Sequence, residues 1–133
     1  MKIERNQHLL TIADVARHWA LNEDTVRRHI RCGNLPAQRL CRTFRLTWEE
    51  VWACEEGPFP RGPGQERYRA PMISKAKLAR ALQCSERSVE RWISDGLPTR
   101  RVFGSVRLNP HDATDWLRMR LGLVLDPERL LDR

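Results

Sequence analysis

The sequence predicts an α+β protein, mainly α-helical with small β-hairpins, in which one structural unit occurs twice. Three observations predict it: an internal repeat, capping residues ahead of short amphipathic segments, and alternating apolar and polar residues after each second helix. The repeat aligns residues 10–46 with residues 73–108 at an offset of 63, which drops to 62 because Asn34 has no counterpart. Twelve identities in the same order indicate two copies of one supersecondary unit.

The first unit begins with two predicted helices. Thr11 is a good helix cap, and the apolar spacing behind it predicts a helix over residues 12–20. Asn22 caps a second helix over residues 23–31. Gly33 ends that helix, because glycine readily adopts the left-handed conformation that follows many helices. The pattern is therefore a helix, a short turn and a second helix with a cationic outer face.

A hairpin and a third helix complete the first unit. Alternation around residues 39–40 and 44–46 predicts two short strands joined by residues 41–43. Thr47 then caps a helix that turns Trp52 toward the core. Most of the other tryptophans also lie at apolar helical positions, which favours core packing over stacking on bases.

The second unit repeats this plan with its own caps and hairpin. The predicted helices lie over residues 75–82, over residues 86–94 and from Pro110 onward, behind the caps Ser74, Ser85 and Asn109. Strands at residues 100–103 and 106–108 are expected to be joined across Gly104 and Ser105, a pair typical of tight turns.

These elements divide the chain into three segments. Residues 1–57 form the first domain, residues 58–71 a linker, and residues 72–133 the second domain with a C-terminal tail. Proline and glycine are dense in the linker, so we expect no regular element there and a partly extended backbone that spans up to about 45 Å. Leu130 and Leu131 in the tail either pack back on the second domain, the interpretation we favour, or serve for self-association.

The balance of charge points to a polyanionic partner. The chain has 24 Lys and Arg against 17 Asp and Glu, a net charge of +7. Basic residues exceed acidic ones by only nine to eight in residues 1–57, but by twelve to eight in residues 72–133. Double-stranded DNA is the partner that two small basic units suggest, and the second unit is the more cationic.

Several other classes of function are disfavoured. The four cysteines lack the paired spacing of zinc ligands, so we expect free thiols, no metal and no other cofactor. No phosphate-binding loop, zinc-protease motif or nucleophile elbow occurs, so we expect no enzymatic activity. No apolar run has the length of a signal sequence or membrane span, which predicts a cytoplasmic protein without membrane contact.

A family resemblance rests on the two repeated segments. They read NEDTVRRHIRCGNLP…RLCRTFRLTWEEV and SERSVERWISDGLP…RRVFGSVRLNPHDATDWL. Each unit resembles the small winged helix-turn-helix domain of the excisionase and MerR-like group, over residues 10–57 and 71–122. The resemblance implies two tandem domains of this type in a phage or mobile-element protein. The expected function is that of a recombination directionality factor, which binds and bends an attachment site. A transcription regulator is the alternative.

The expected DNA contacts follow from the geometry of such units. The second helix of each unit would insert its N-terminal turn into the major groove, where arginine pairs with guanine. The candidates on these helices are Asn22, Thr25, Arg27, Arg28, Ser85, Arg87, Ser88 and Arg91. Each hairpin would act as a wing on the backbone or in the minor groove. The candidates on the wings are Arg42, Arg45, Arg100, Arg101 and Arg107.

Alternatives remain open for the individual residues and for the whole chain. Arg28 and Arg91 could instead form salt bridges to the first helix of their unit, and a wing arginine could be a solvated surface charge. Glu23 and Asp24 lie where phosphates would approach, which disfavours base contact by the first unit. That unit could then be a protein-docking module, for an integrase or as a packaging adaptor, with only the second unit on DNA. Cooperative self-association on DNA is a further possibility.

Overall fold

The structure, a computed structural model, describes residues 9–131, so the outermost ends of both expected domains lie outside the described residues. It is mainly helical, with two small antiparallel sheets. The first half contains α1 (Ile12–Trp19), α2 (Glu23–Arg31), β1 (Gln38–Leu40), β2 (Thr43–Arg45), α3 (Trp48–Ala53) and β3 (Glu55–Glu56). The second half contains α4 (Lys75–Leu82), α5 (Glu86–Ser94), β4 (Arg100–Val102), β5 (Ser105–Arg107) and α6 (Pro110–Leu121). Apart from β3, the two halves follow one order of elements.

The predicted helix caps are confirmed. The Thr11 hydroxyl accepts a hydrogen bond from the amide N–H of Asp14, whose carboxylate accepts from the N–H of Thr11 in return. Ser85 accepts from the N–H of Ser88 in the same way at the start of α5. Helix α1 ends one residue earlier than expected, because Ala20 adopts the left-handed conformation with φ of 54°.

The hairpins form where the alternation predicts them, but each turn differs by one residue from the predicted turn. In the second hairpin, Val102 faces Ser105, so the turn consists of Phe103 and Gly104 and not of Gly104 and Ser105. Both turn residues have positive φ, which is the conformation that the right-handed twist of a two-residue hairpin favours. In the first hairpin Leu40 faces Thr43, so Thr43 belongs to a strand and not to the loop.

Strand β3 is an element that the sequence did not indicate. Glu55 pairs with Val102 and Glu56 with Arg101, so the end of the first half adds a strand to the hairpin of the second. The resulting sheet has the order β3-β4-β5. The two halves are thus joined by backbone hydrogen bonds.

Each half has its own apolar core. The first includes Val15 and Trp19 of α1, Val26 of α2 and Trp52 of α3, together with Met72 and Val102 from the second half. The second is built from side chains of α4, α5 and α6 together with Leu130 of the tail. The expectation that the tail packs back is confirmed, since residues Pro127–Leu131 form a 3-10 helix against this core.

The expectation of an extended linker is wrong. Short 3-10 helices form at Gly62–Gln65 and Arg67–Arg69. The second is fixed to α6, because the Tyr68 hydroxyl donates to Asp112 at 2.9 Å and Arg67 donates to Asp115 at 2.6 Å. A 3-10 turn needs only a few residues, and these tertiary contacts hold it in place despite the density of proline and glycine.

Candidate nucleic-acid interface

Helix α5 presents an exposed cationic surface in the second unit. Val89 is fully buried against the core, which leaves Arg87 and Arg91 exposed. Neither arginine forms an ion pair within residues 9–131, and the predicted alternative of a salt bridge from Arg91 to the first helix of the unit is not found there. The bridge between these helices joins Lys75 to Glu90 at 3.0 Å instead. Both guanidinium groups are therefore available to an external anion.

The two serines at the start of α5 are used mainly for capping. The Ser85 hydroxyl accepts from the N–H of Ser88 at 3.2 Å, and the two hydroxyls lie 3.3 Å apart. Ser85 is exposed and Ser88 half-buried. They lie beside Arg87 at the N-terminal turn, where the positive end of the helix dipole also favours an anion.

Helix α2 has a different charge arrangement at the equivalent place. Arg27 donates to Glu23 at 3.2 Å and to Asp24 at 3.1 Å, so its charge is compensated within the helix. Asn22 accepts from the N–H of Asp24, and Thr25 is half-buried. Of the residues predicted from this helix to contact DNA, only Arg28 presents an exposed charge that no described carboxylate pairs.

The same outer face of α2 carries one further arginine that the prediction did not include. Arg31 is exposed, lies one turn beyond Arg28 and has no ion pair within the described part of the chain. The sequence does contain a signal for Arg31. Residues three apart share a helix face, so Arg31 is expected to lie on the same face as Arg28.

The first hairpin has a cation at its tip. Arg42 is exposed in the turn between β1 and β2. Arg45 is half-buried, and one of its nitrogens donates to the carbonyl oxygen of Phe44 at 2.9 Å. Among the described residues, no hydrogen bond joins this hairpin to the second half, and the Arg42 side chain is open to solvent.

The second hairpin does not present the predicted arginines. Arg100 is 3% exposed, donates to Glu55 at 2.6 Å and donates to the carbonyl oxygen of Pro58 at 2.7 Å. The prediction that it contacts DNA is wrong, because its guanidinium lies inside the protein. Arg101, the next residue along β4, faces outward and is exposed.

Arg107 is also directed at the first half of the chain. Its Nε donates to the carbonyl oxygen of Trp19 at 2.8 Å and its Nη2 to that of Ala20 at 3.0 Å. These carbonyls end α1, where a cation is stabilised by the helix dipole. Burial lowers the pKa of Arg107. Its predicted role as a DNA contact is therefore corrected to that of a bridge between the two halves.

Glu55 is the centre of a buried polar cluster between the halves. Its carboxylate, 1% exposed, accepts from Trp19 at 2.8 Å and from Arg100 at 2.6 Å, and it lies 3.2 Å from His18 Nε2. Burial raises the pKa of Glu55, but the bond with His18, the bond from Trp19 and the charge of Arg100 outweigh it. The pKa is held below its ordinary value.

The tip of the second hairpin packs on α2. The rings of Phe103 and His29 are stacked, with centroids 3.7 Å apart and an angle of 11° between their planes. Phe103 also meets Trp19 edge to face at 5.5 Å. Burial, and next the charge of Arg28, lower the pKa of His29. Phe103, His29 and Glu55 were not among the predicted functional residues.

Other kinds of site are not indicated by the described residues. Within residues 9–131 no group of three or more His, Cys, Asp and Glu side chains could hold a metal ion. The four cysteines are free thiols. Over the same residues, every helix is too short or too polar to cross a membrane. No protein-family model, curated protein or solved structure matches the chain.

Proposed function

We propose that the chain is a site-specific DNA-binding protein made of two tandem winged helix-turn-helix domains, of the excisionase type. The observation that carries the proposal is helix α5, which exposes Arg87 and Arg91 without an ion pair from any described residue while its other face is buried. An arginine that already has a carboxylate partner would have to give up that ion pair to bind DNA, and no described carboxylate pairs with either of these two. The resemblance of both units to the excisionase and MerR-like group points to the same function.

The contacts follow from the positions of these groups. Helix α5 enters the major groove by its N-terminal turn, where Arg87 pairs with the O6 and N7 of a guanine and Arg91 contacts the adjacent base or phosphate. Helix α2 uses Arg28 and Arg31, and Arg42 at the tip of the first hairpin reaches the backbone or minor groove. Because the two helices carry different residues, the site that they read is not palindromic.

A function of another class has one observation in its favour. Arg27 is neutralised by Glu23 and Asp24, so α2 offers less free charge than its sequence indicates. This lower charge favours the alternative in which the first unit docks a protein, such as an integrase or packaging component, and only the second unit binds DNA. A transcription regulator would use the same contacts as an excisionase, so the position of the selected site beside a promoter or an attachment site separates those two.

Selection from a randomised duplex library at about physiological salt tests the proposal. We expect enrichment of a two-part, non-palindromic site. Binding is then measured for Arg91→Glu and Arg28→Glu, with Arg129→Glu as the control because it is exposed and changes the net charge equally. A base-reading arginine is expected to cost about 1 to 3 kcal/mol, and the control much less.

The outcomes separate the candidate functions. If only Arg91→Glu weakens binding, the first unit is a docking module. If all three variants weaken binding alike, and affinity falls steeply with salt without any enriched sequence, binding is non-specific and the proposal fails.

A further inference from the structure

The second hairpin is built into the first unit by its backbone and by a buried ion pair. Strand β3 of the first unit completes its sheet, and Arg100 on β4 lies in the buried cluster with Glu55. An ion pair that is almost fully desolvated on both sides keeps its geometry, because parting the two groups would leave buried charges unpaired. The hairpin cannot leave the first unit without breaking this pair.

Its second strand and its tip add independent contacts. Arg107 binds the last carbonyls of α1, and the Phe103 ring lies on His29 and Trp19. The N–H of Met72, just before α4, donates to the carbonyl oxygen of His18 at 2.8 Å. Both strands and the tip of the hairpin are therefore tied to the first unit.

The connecting segment is fixed at both of its sides. Trp52 of α3 donates to the carbonyl oxygen of Tyr68 at 3.2 Å, while the Tyr68 hydroxyl donates to Asp112 of α6. The Arg100 guanidinium also lies over the Tyr68 ring, 5.1 Å from its centroid. The segment is thus packed between the two units and does not act as a flexible linker.

The two hairpins differ at the residues that make this joint. At the offset of 62 residues, Arg100 corresponds to Gln38 and Phe103 to Cys41, so the first hairpin lacks the buried arginine and the aromatic tip, although Arg45 corresponds to Arg107. Gly104 corresponds to Arg42, so the first hairpin alone has a cation at its tip. One hairpin has the chemistry of an intramolecular joint and the other that of a contact to a polyanion.

We infer that the second hairpin is a docking element, which makes the chain one rigid reader with two recognition helices and a single free wing. This inference rests on the DNA-binding function proposed above. A rigid reader binds one duplex site of fixed length, whereas two domains on a flexible tether would accept half-sites at several separations. The free wing, with Arg42, contacts the duplex on one flank only.

A series of duplexes with altered spacing tests the inference on the unmodified chain. Into the selected site we insert one, five or ten base pairs between the two halves, and we measure the dissociation constant for each. Every insertion, including the full turn of about ten base pairs, is expected to weaken binding at least about tenfold, because one helix loses its contacts. Recovery of affinity at the ten-pair insertion overturns the inference and leaves the proposed function intact.

Two further measurements keep the inference separate from the proposed function. Without DNA, small-angle scattering of the chain is expected to give a radius of gyration near 14 Å, the value for a compact domain of this length; a clearly larger radius overturns the docking.

On the selected site, hydroxyl-radical cleavage is expected to show minor-groove protection beyond one end of the two major-groove contacts, and Arg42→Ala is expected to remove that protection. Wing protection at both ends, or a site that only one helix contacts, overturns the rigid reader. Absence of any selected site would instead defeat the proposed function.

Discussion

Replacing Glu55 by glutamine should strongly destabilise the protein. The substitution keeps the volume of the side chain but removes the charge that Arg100 faces at 2.6 Å. Arg100 is 3% exposed, so it cannot recover the lost interaction from water. Breaking a buried ion pair by removing one partner typically costs about 3 to 5 kcal/mol. We expect the free energy of unfolding to fall by that amount.

Urea unfolding followed by tryptophan fluorescence measures this loss, because Trp19 donates directly to Glu55. For a chain of this length, 3 to 5 kcal/mol corresponds to a fall in the melting temperature of about 10 to 18 °C. Glu56→Gln is the matched control, since Glu56 is the next residue on β3, is exposed and has no ion pair within the described residues. We expect the control to change stability by less than about 0.5 kcal/mol.

A double substitution separates the ion pair from other effects. Glu55→Gln combined with Arg100→Met removes both charges and keeps an acceptor for Trp19, and it should recover most of the loss because no unpaired charge stays buried. A Glu55→Gln variant as stable as the Glu56→Gln control, or a double variant no more stable than Glu55→Gln alone, would contradict the role of the ion pair.

Three further results are expected from the structure. Because the folded-state pKa of Glu55 is lowered, its contribution to stability is present above the ordinary value of 4.5 and is lost as the pH falls below it. In urea unfolding at decreasing pH, the free energy of unfolding should therefore fall less for Glu55→Gln than for the parent protein. Leu130→Ala should cost about 2 to 5 kcal/mol in the same assay, because the side chain is 1% exposed, and a loss no larger than that of the exposed Val124→Ala would contradict the packing of the tail. Cys41→Gly should raise the free energy of unfolding by about 0.5 to 1 kcal/mol, because φ of 60° strains a residue with a side chain, and a destabilised variant would refute that.

The elements that the sequence predicts well are those with local causes. Helix α5 has its cap at Ser85 and its buried Val89 within a few residues, so pattern and capping determine its limits. The turn of the second hairpin was misplaced by one residue, because glycine suits either position and the pairing of Val102 with Ser105 decides between them. A two-residue turn leaves little in the sequence to settle its register.

The joint between the units could not be predicted because its causes are distant in the chain. Glu55 lies 36 residues from Trp19 and 45 from Arg100, and nothing near it marks a buried carboxylate. Arg100 and Arg107 have the same sequence signal as solvated wing residues. One usable signal was the comparison of the repeats, where Phe103 replaces Cys41, since a large aromatic residue at a hairpin tip indicates a packing partner.

Internal contacts change which of the two units presents more unpaired positive charge at its surface. By sequence the second unit has the greater cationic excess, but Arg100 and Arg107 are directed inward, and Lys75 is paired with Glu90. The arginines of α2, α5 and the two hairpins that remain exposed, with no ion pair among the described residues, are Arg28, Arg31, Arg39, Arg42, Arg87, Arg91 and Arg101. Four lie in the first unit and three in the second. Once the paired charges are set aside, the near-neutral first unit therefore presents at least as many free arginines as the second, which supports the proposal that both units read DNA over that of an adaptor in which only one does.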